Sequence, residues 1–237
     1  HSVDIDQVLK NDILTSQEDK FANQRVRDFI NQNRLNSYAI KTTQALDIIN
    51  GGVKANALPE YVELIINSRI ALEESVSSAY QKFVEDVFNV SKKNGLGLSV
   101  VYTNGDETVL LEDSLNGNFK IEPVVTLEPS KITSNSDEKW NIFSGSLRHV
   151  YEELAYPDKF NKDTGKSVVI TPGVGTGNTD TKLYWNLTDH IYRYRPGVLP
   201  SVTANSHGIN EYIDFDSHLQ IIAFVFEYIQ SVDEACD

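Results

Sequence analysis

The sequence predicts a mixed α/β chain in two parts, a small α+β layer followed by an α/β unit, and three observations carry this. Between Thr42 and Leu127, short apolar runs flank one strongly helical stretch. Asn50-Gly51-Gly52, Asn94-Gly95 and Asn104-Gly105-Asp106 punctuate those runs as turns. Beyond the polar run "SKITSNSDEK", helical spacing, a short β-branched run and a glycine-rich loop follow one another.

Residues 1–38 read as a helical arm. Thr15-Ser16-Gln17-Glu18 has capping-box spacing, and Phe21, Val26, Phe29 and Ile30 follow at roughly helical intervals. Residues 39–130 hold the first layer. "TTQALDIIN" alternates as a strand, and "YVELIINSRIA" is expected to turn Val62, Leu64, Ile66 and Ile70 inward, with Tyr61, Glu63, Asn67 and Arg69 outward. A helix with the stripe Val76, Tyr80, Phe83, Val87 and Val90 should stop at Asn94-Gly95. Strands are expected in "LSVVYT", "ETVLLE" and "FKIEPVVTL". Residues 131–237 form the second unit. Trp140, Phe143, Leu147, Val150 and Leu154 mark an amphipathic helix, and "SVVIT" reads as a short buried strand. The loop "PGVGTGNTD" leads to an expected helix, "TKLYWNLTDHIYRY", which would include His190. An apolar helix, "LQIIAFVFEYIQ", closes the chain, and the site is expected at the strand ends.

At 237 residues the chain has room for one large or two small domains, and 40% hydrophobic content suffices for a core. A net charge of -13 argues against nucleic acid and anionic membrane surfaces as partners. One cysteine, Cys236, excludes an internal disulfide and argues against a cysteine-based zinc site. No transmembrane run or signal peptide is visible. The chain has no methionine and begins at His1, so it is read as possibly processed, truncated or excised from something longer.

Several groups could carry chemistry. "NSHGINEYI" presents His207 from a polar, glycine-containing loop, yet no second histidine or cysteine lies at metal-ligand spacing. The glycine loop is either an anion cradle or a tight turn; it lacks a P-loop lysine and the dinucleotide fingerprint. Asp180 could cap the helix that follows. Glu73-Glu74 and Glu152-Glu153 read as structural pairs. Arg69 sits on a polar strand face, where an ion pair with Glu63 is the plain alternative to a functional role.

Taken together, "INGGVKANALPEYVELIINSRIA", "GTGNTDTKLYWNLTDHIYRYRP" and "SHGINEYIDFDSHLQIIAFVFEYIQ" resemble the carboxypeptidase S branch of the aminoacylase/glutamate-carboxypeptidase family of di-zinc peptidases. The resemblance runs from about Ala39 to the C-terminus. It implies that residues 39–130 are the later part of an inserted lid with a ferredoxin-like sheet. Residues 131–237 would be the returning half of the α/β catalytic domain, and residues 1–38 an insertion of that branch.

The same resemblance implies that His207 is the last zinc ligand, its partners and the general base lying in an upstream half. No His-x-Asp occurs here. It implies substrate contacts from Asn56, Arg69, Asn178 and Asp180, with Asn178 departing from the family's usual glycine. Two zinc ions about 3.5–4 Å apart would activate the attacking water. Arg69 would clamp a substrate carboxylate, Asn56 would donate to the oxyanion, and Glu211 could accept from His207. The expected substrate is a small peptide cut at its C-terminal bond, or an N-acyl amino acid. An inactive binding or dimerisation module is the third reading. A homodimer through the lid and a vacuolar lumen are also implied, and the sequons Asn89-Val90-Ser91 and Asn186-Leu187-Thr188 are compatible with that route.

Overall fold

A computed structural model describes residues 5–160, 165–175, 177–197, 205 and 208–235, and the chain divides into two units. One comprises residues 4–130 with 176–178; the other comprises 131–175 and 179–237, together with 1–3.

The first unit opens with α1 (Gln7–Thr15) and α2 (Lys20–Gln32), followed by the short α3 (Arg34–Ser37) and a 3₁₀ turn, Tyr38–Ile40. The capping box expected at Thr15 does not start a helix. Thr15 ends α1, its hydroxyl donating to the Asn11 carbonyl at 3.0 Å, and Asp19 caps α2 by accepting from the Phe21 amide at 2.8 Å. A carboxylate one residue from the helix start outcompetes a hydroxyl further back. Arg25 joins the two helices by a bidentate pair with the buried Asp12, at 2.7 and 2.6 Å.

β1 (Thr43–Gly51) and β2 (Val62–Arg69) form an antiparallel hairpin from Thr43↔Arg69 to Gly51↔Val62, with a register shift between Leu46 and Ile48. The inward face expected for β2 is only partly realised. Ile65, Ile66 and Ile70 are half-buried, but Val62 and Leu64 stay 54% and 46% exposed. Among the described residues the hairpin is a two-stranded sheet separate from the other three strands, and its far end stays exposed.

α4 (Val76–Asn94) follows the expected span. Ser75 and Ser78 make a reciprocal capping box, and Gly95 stops the helix at φ 65°, a left-handed position where a Cβ is strained. Glu73 and Glu74 precede the helix; Glu74 accepts from the Thr42 hydroxyl at 2.6 Å. β3 (Gly97–Val101) lies between antiparallel β4 (Glu107–Leu111) and parallel β5 (Asn118–Ile121). Val84 packs on Leu98, Val100 and Ile121, making the core of this unit. Tyr80 anchors the helix by donating to the Val101 carbonyl at 2.6 Å.

The second unit is built on α5 (Glu138–His149), continued by a π-helical segment, Val150–Ala155, and on α6 (Phe215–Glu234). Phe143, Leu147, Val150 and Phe224 form its core, with Tyr192 stacked on Phe143 at a centroid distance of 4.3 Å. The buried side of α6 holds Ser217, Gln220 and Phe224, whereas Leu219, Ile222, Phe226 and Ile229 are exposed.

Three expectations fail here. "SVVIT" is not a strand: the Val168 amide donates to the Glu152 carboxylate at 2.7 Å, and Val169 is 54% exposed. The stretch 181–194 is not one helix either. A 3₁₀ helix, Thr179–Tyr184, ends in a turn closed by the Leu187 amide on the Tyr184 carbonyl, which leaves His190 outside any helix. Asn, Thr, Asp and aromatic residues there have poor helix propensity, so tertiary contacts decide. Finally, no strand occurs among the described residues of this unit, so these residues offer no strand ends for the site expected there.

Candidate substrate-binding residues

Arg69 is exposed at the last position of β2, in register with Thr43. Glu63, the partner considered for it, instead accepts from Asn50 across the hairpin at 3.3 Å. Within the same unit, Arg69 Nη1 lies 3.4 Å from the position a Cβ on Gly177 would occupy. That is ordinary van der Waals contact distance, so the loop backbone at Gly177 runs directly beside the guanidinium. Arg69 and the residue preceding Asn178 are thus neighbours, although 108 positions separate Arg69 from Gly177 in the sequence.

Asn56 is exposed in the loop that joins β1 to β2, within a turn in which the Ala57 amide donates to the Lys54 carbonyl at 3.2 Å. That loop leaves the hairpin at Gly51↔Val62, the opposite end from Arg69. Seven residue steps of β2 separate the two ends, or about 23 Å at strand rise. The hairpin itself therefore does not gather Asn56 and Arg69 at one point.

Asn178 is half-buried, and Asp180 is exposed in the first turn of the 3₁₀ helix. His207 lies outside the described residues, as does Cys236. Glu211 is exposed.

Two described histidines, His149 and His190, are engaged with carboxylates. His190 Nε2 meets Asp137 Oδ2 at 2.8 Å, and Asp137 also caps α5 by accepting from the Trp140 amide at 2.9 Å. The backbone donor first, and His190 second, hold the Asp137 carboxyl down at about 2. His149 stands between Glu153, at 3.3 Å, and Glu227, at 3.7 Å. Glu152 is occupied by Arg148 and the Val168 amide, which agrees with a structural role for the Glu152-Glu153 pair. Among the described residues no group of three histidine, cysteine, aspartate or glutamate side chains could hold a metal ion.

Two features escape sequence reading. The Arg193 guanidinium fills the space where a Cβ on Gly175 would stand, so this loop glycine serves a close approach in its own unit. Tyr194 donates to the Tyr151 hydroxyl at 3.0 Å, and burial, more than this contact, pushes its phenol well above the usual range. Both pairings join residues distant in sequence, and no local motif marks them.

No family model matches the chain, and no solved structure matches it. Curated relatives do. Carboxypeptidase S of Saccharomyces cerevisiae is 40% identical over 86% of the chain and 34% of its own length. An uncharacterized carboxypeptidase of Schizosaccharomyces pombe is 31% identical over 97% of the chain and 36% of its own length. The N-fatty-acyl-amino acid synthase/hydrolase of Mus musculus is 25% identical over 88% of the chain and 34% of its own length. The chain is a homologue of the peptidases and amidohydrolases of the M20 family. Within that family it is a carboxypeptidase S homologue, and it spans about a third of the length of the curated relatives it matches. No helix of the described residues is long and apolar enough to cross a membrane.

Proposed function

We propose that this chain is the C-terminal part of a zinc-dependent carboxypeptidase that removes the last residue of small peptides. The 40% identity to carboxypeptidase S over 86% of the chain carries this reading. Arg69 clamps the free carboxylate of the substrate: a planar guanidinium forms two parallel hydrogen bonds to a carboxylate, and the loop at Gly177 runs beside it. Asn56 donates to the oxygen on which negative charge develops. The hairpin holds Asn56 and Arg69 at opposite ends, so Asn56 is proposed to act at the neighbouring subunit of a homodimer formed through the lid. Asn178 and Asp180 border the substrate, and His207, as a neutral imidazole, is the zinc ligand. The described residues do not by themselves form a metal centre, so their contribution is to bind and orient substrate. The general base and the other ligands belong to the remainder of the enzyme. The ferredoxin-like form of the lid and a vacuolar location belong to the same proposal.

A second reading, hydrolysis of N-acyl amino acids, is favoured by the similarity to the N-fatty-acyl-amino acid synthase/hydrolase of Mus musculus. Both substrates end in a free carboxylate, so Arg69 serves either. Steady-state kinetics of the complete enzyme on a blocked dipeptide and on an N-fatty-acyl amino acid separate them. A higher kcat/KM on the dipeptide supports the carboxypeptidase; a preference for the acyl amino acid replaces it with the second reading.

A further inference from the structure

We propose that Arg193 is a positioning residue for the substrate loop: its guanidinium, laid on Gly175, holds the glycine-rich segment that leads to Asp180. The proposal rests on the reading above that Asp180 borders the substrate. It assigns Arg193 no contact with the substrate itself.

The base of Arg193 is fixed from both sides. Tyr192 stacks on Phe143 at a centroid distance of 4.3 Å, and Tyr194 meets the same ring edge-on at 5.9 Å. Tyr194 also donates to the Tyr151 hydroxyl at 3.0 Å. Two residues before Arg193, the Ile191 carbonyl accepts from the Thr133 hydroxyl at 3.0 Å, and the Ile191 amide donates to the same oxygen at 3.2 Å. A chain held at residues 191, 192 and 194 presents the side chain of Arg193 from a rigid base.

The segment it meets is of the opposite kind. Residues 173, 175 and 177 are glycine, which leaves a free backbone its widest range of conformations. Yet the segment ends in a demanding one. Thr179 sits at φ 51°, in the left-handed region that a β-branched residue occupies only where its surroundings impose it. Alternating glycines impose nothing of the sort. The Arg193 guanidinium does restrict them: a terminal nitrogen stands in the Cβ place of Gly175, with Cζ 2.7 Å and Nε 3.3 Å from that point. Arg193, Gly175, Thr179 and Asp180 all belong to one unit. A planar guanidinium on an open glycine excludes alternative loop conformations before substrate arrives, so less ordering has to accompany binding.

The test uses the complete enzyme, with hydrogen exchange of residues 172–180 and steady-state kinetics on the blocked dipeptide and the N-fatty-acyl amino acid. Arg193 is exposed, so Arg193→Ala should leave the melting temperature unchanged. It should speed exchange in the loop, raise KM about tenfold and leave kcat within about twofold. Gly175→Ala should do the same, because its Cβ displaces the guanidinium, the mobile end of a long side chain. The double variant should be no worse than either single one, since both remove the same contact. Unchanged exchange in Arg193→Ala overturns the proposal, as does faster exchange with an unchanged KM. Losses that add in the double variant, or a fall in kcat at constant KM, overturn it too. A wild-type enzyme that turns over neither substrate defeats the reading on which the proposal rests, and loop exchange in Arg193→Ala still decides the contact.

Discussion

Arg69 ends β2 with its side chain exposed and supports no core, so its removal separates binding from stability. Arg69→Ala should change stability by no more than about 0.5 kcal/mol, as at ordinary surface sites. A desolvated charge pair is worth about 2–5 kcal/mol, so kcat/KM of the complete enzyme should fall tens to thousands of fold on substrates with a free carboxylate. Arg69→Lys should recover part of this, because an ammonium lacks the planar fork. Substrates amidated at the C-terminus should hardly distinguish mutant from wild type. A thermal melt beside both sets of kinetics is the check; equal losses on free and amidated substrates would make Arg69 structural. Asp137 offers a residue-scale test of pH. Its carboxyl is depressed from 3.8 to about 2 by the Trp140 amide first and His190 second. A depressed carboxyl contributes stability above its unfolded value and loses it as pH falls through the folded one. Asp137→Asn, which keeps a capping oxygen but no charge, should therefore destabilise at pH 6 and converge with wild type as pH falls from about 4 towards 2. Denaturant melts across that window would show it, and a gap between the two proteins that does not narrow would exclude the linkage.

At the scale of elements, two glycines predict opposite outcomes for the same substitution. Gly95 closes α4 at φ 65°, a region L side chains enter at a cost of about 1–2 kcal/mol. Gly95→Ala should destabilise by that order. Gly145 lies inside α5, and a Cβ there meets nothing within 4 Å. Gly145→Ala should stabilise by about 0.5–1 kcal/mol, chiefly by restricting the unfolded chain. Denaturant titrations of both variants check the pair, and a loss at 145 would show that the helix needs its glycine for another reason. The contrast also explains what could be read in advance. α4 was legible because its apolar stripe and the Asn94-Gly95 stop signal agree. β3 and β4 were legible because Asn104-Gly105-Asp106 specifies their turn. The faces of the hairpin were not, because alternation says which residues share a side and not whether a second layer covers it. "SVVIT" fails for a related reason: β-branched residues suit a strand, but the Glu152 carboxylate takes the Val168 amide. The proposed substrate residues come from the resemblance alone. Nothing local in the sequence brings Arg69 to Gly177 or Arg193 to Gly175.

At the scale of the whole molecule, the question is whether 237 residues suffice for the proposed chemistry. Family-type hydrolysis needs two metal ions and a proton acceptor between them. The described residues contain no group of three side chains able to hold one ion, and two of their histidines are already paired with carboxylates. His207 alone supplies one donor. The chain by itself should therefore hydrolyse no peptide and bind zinc no better than a surface imidazole. Calorimetric zinc titration and an assay on a blocked dipeptide check this. Turnover by the purified chain, abolished by a chelator and restored by zinc, would show that it holds a centre of its own. The complementary experiment uses the complete enzyme. His207→Ala should remove most activity and lower the bound zinc, whereas Asn56→Ala should lower kcat with zinc content unchanged, because it acts on charge that appears only in the transition state. If Asn56 reaches a neighbouring subunit, mixing Asn56→Ala protein with His207→Ala protein should restore part of the activity in heterodimers. In such a dimer one active site combines an intact His207 with an intact Asn56 from the other chain. Random pairing yields about half heterodimers, each with one good site, so about a quarter of wild-type activity should return. No recovery after verified subunit exchange would place Asn56 and His207 in the same chain's site.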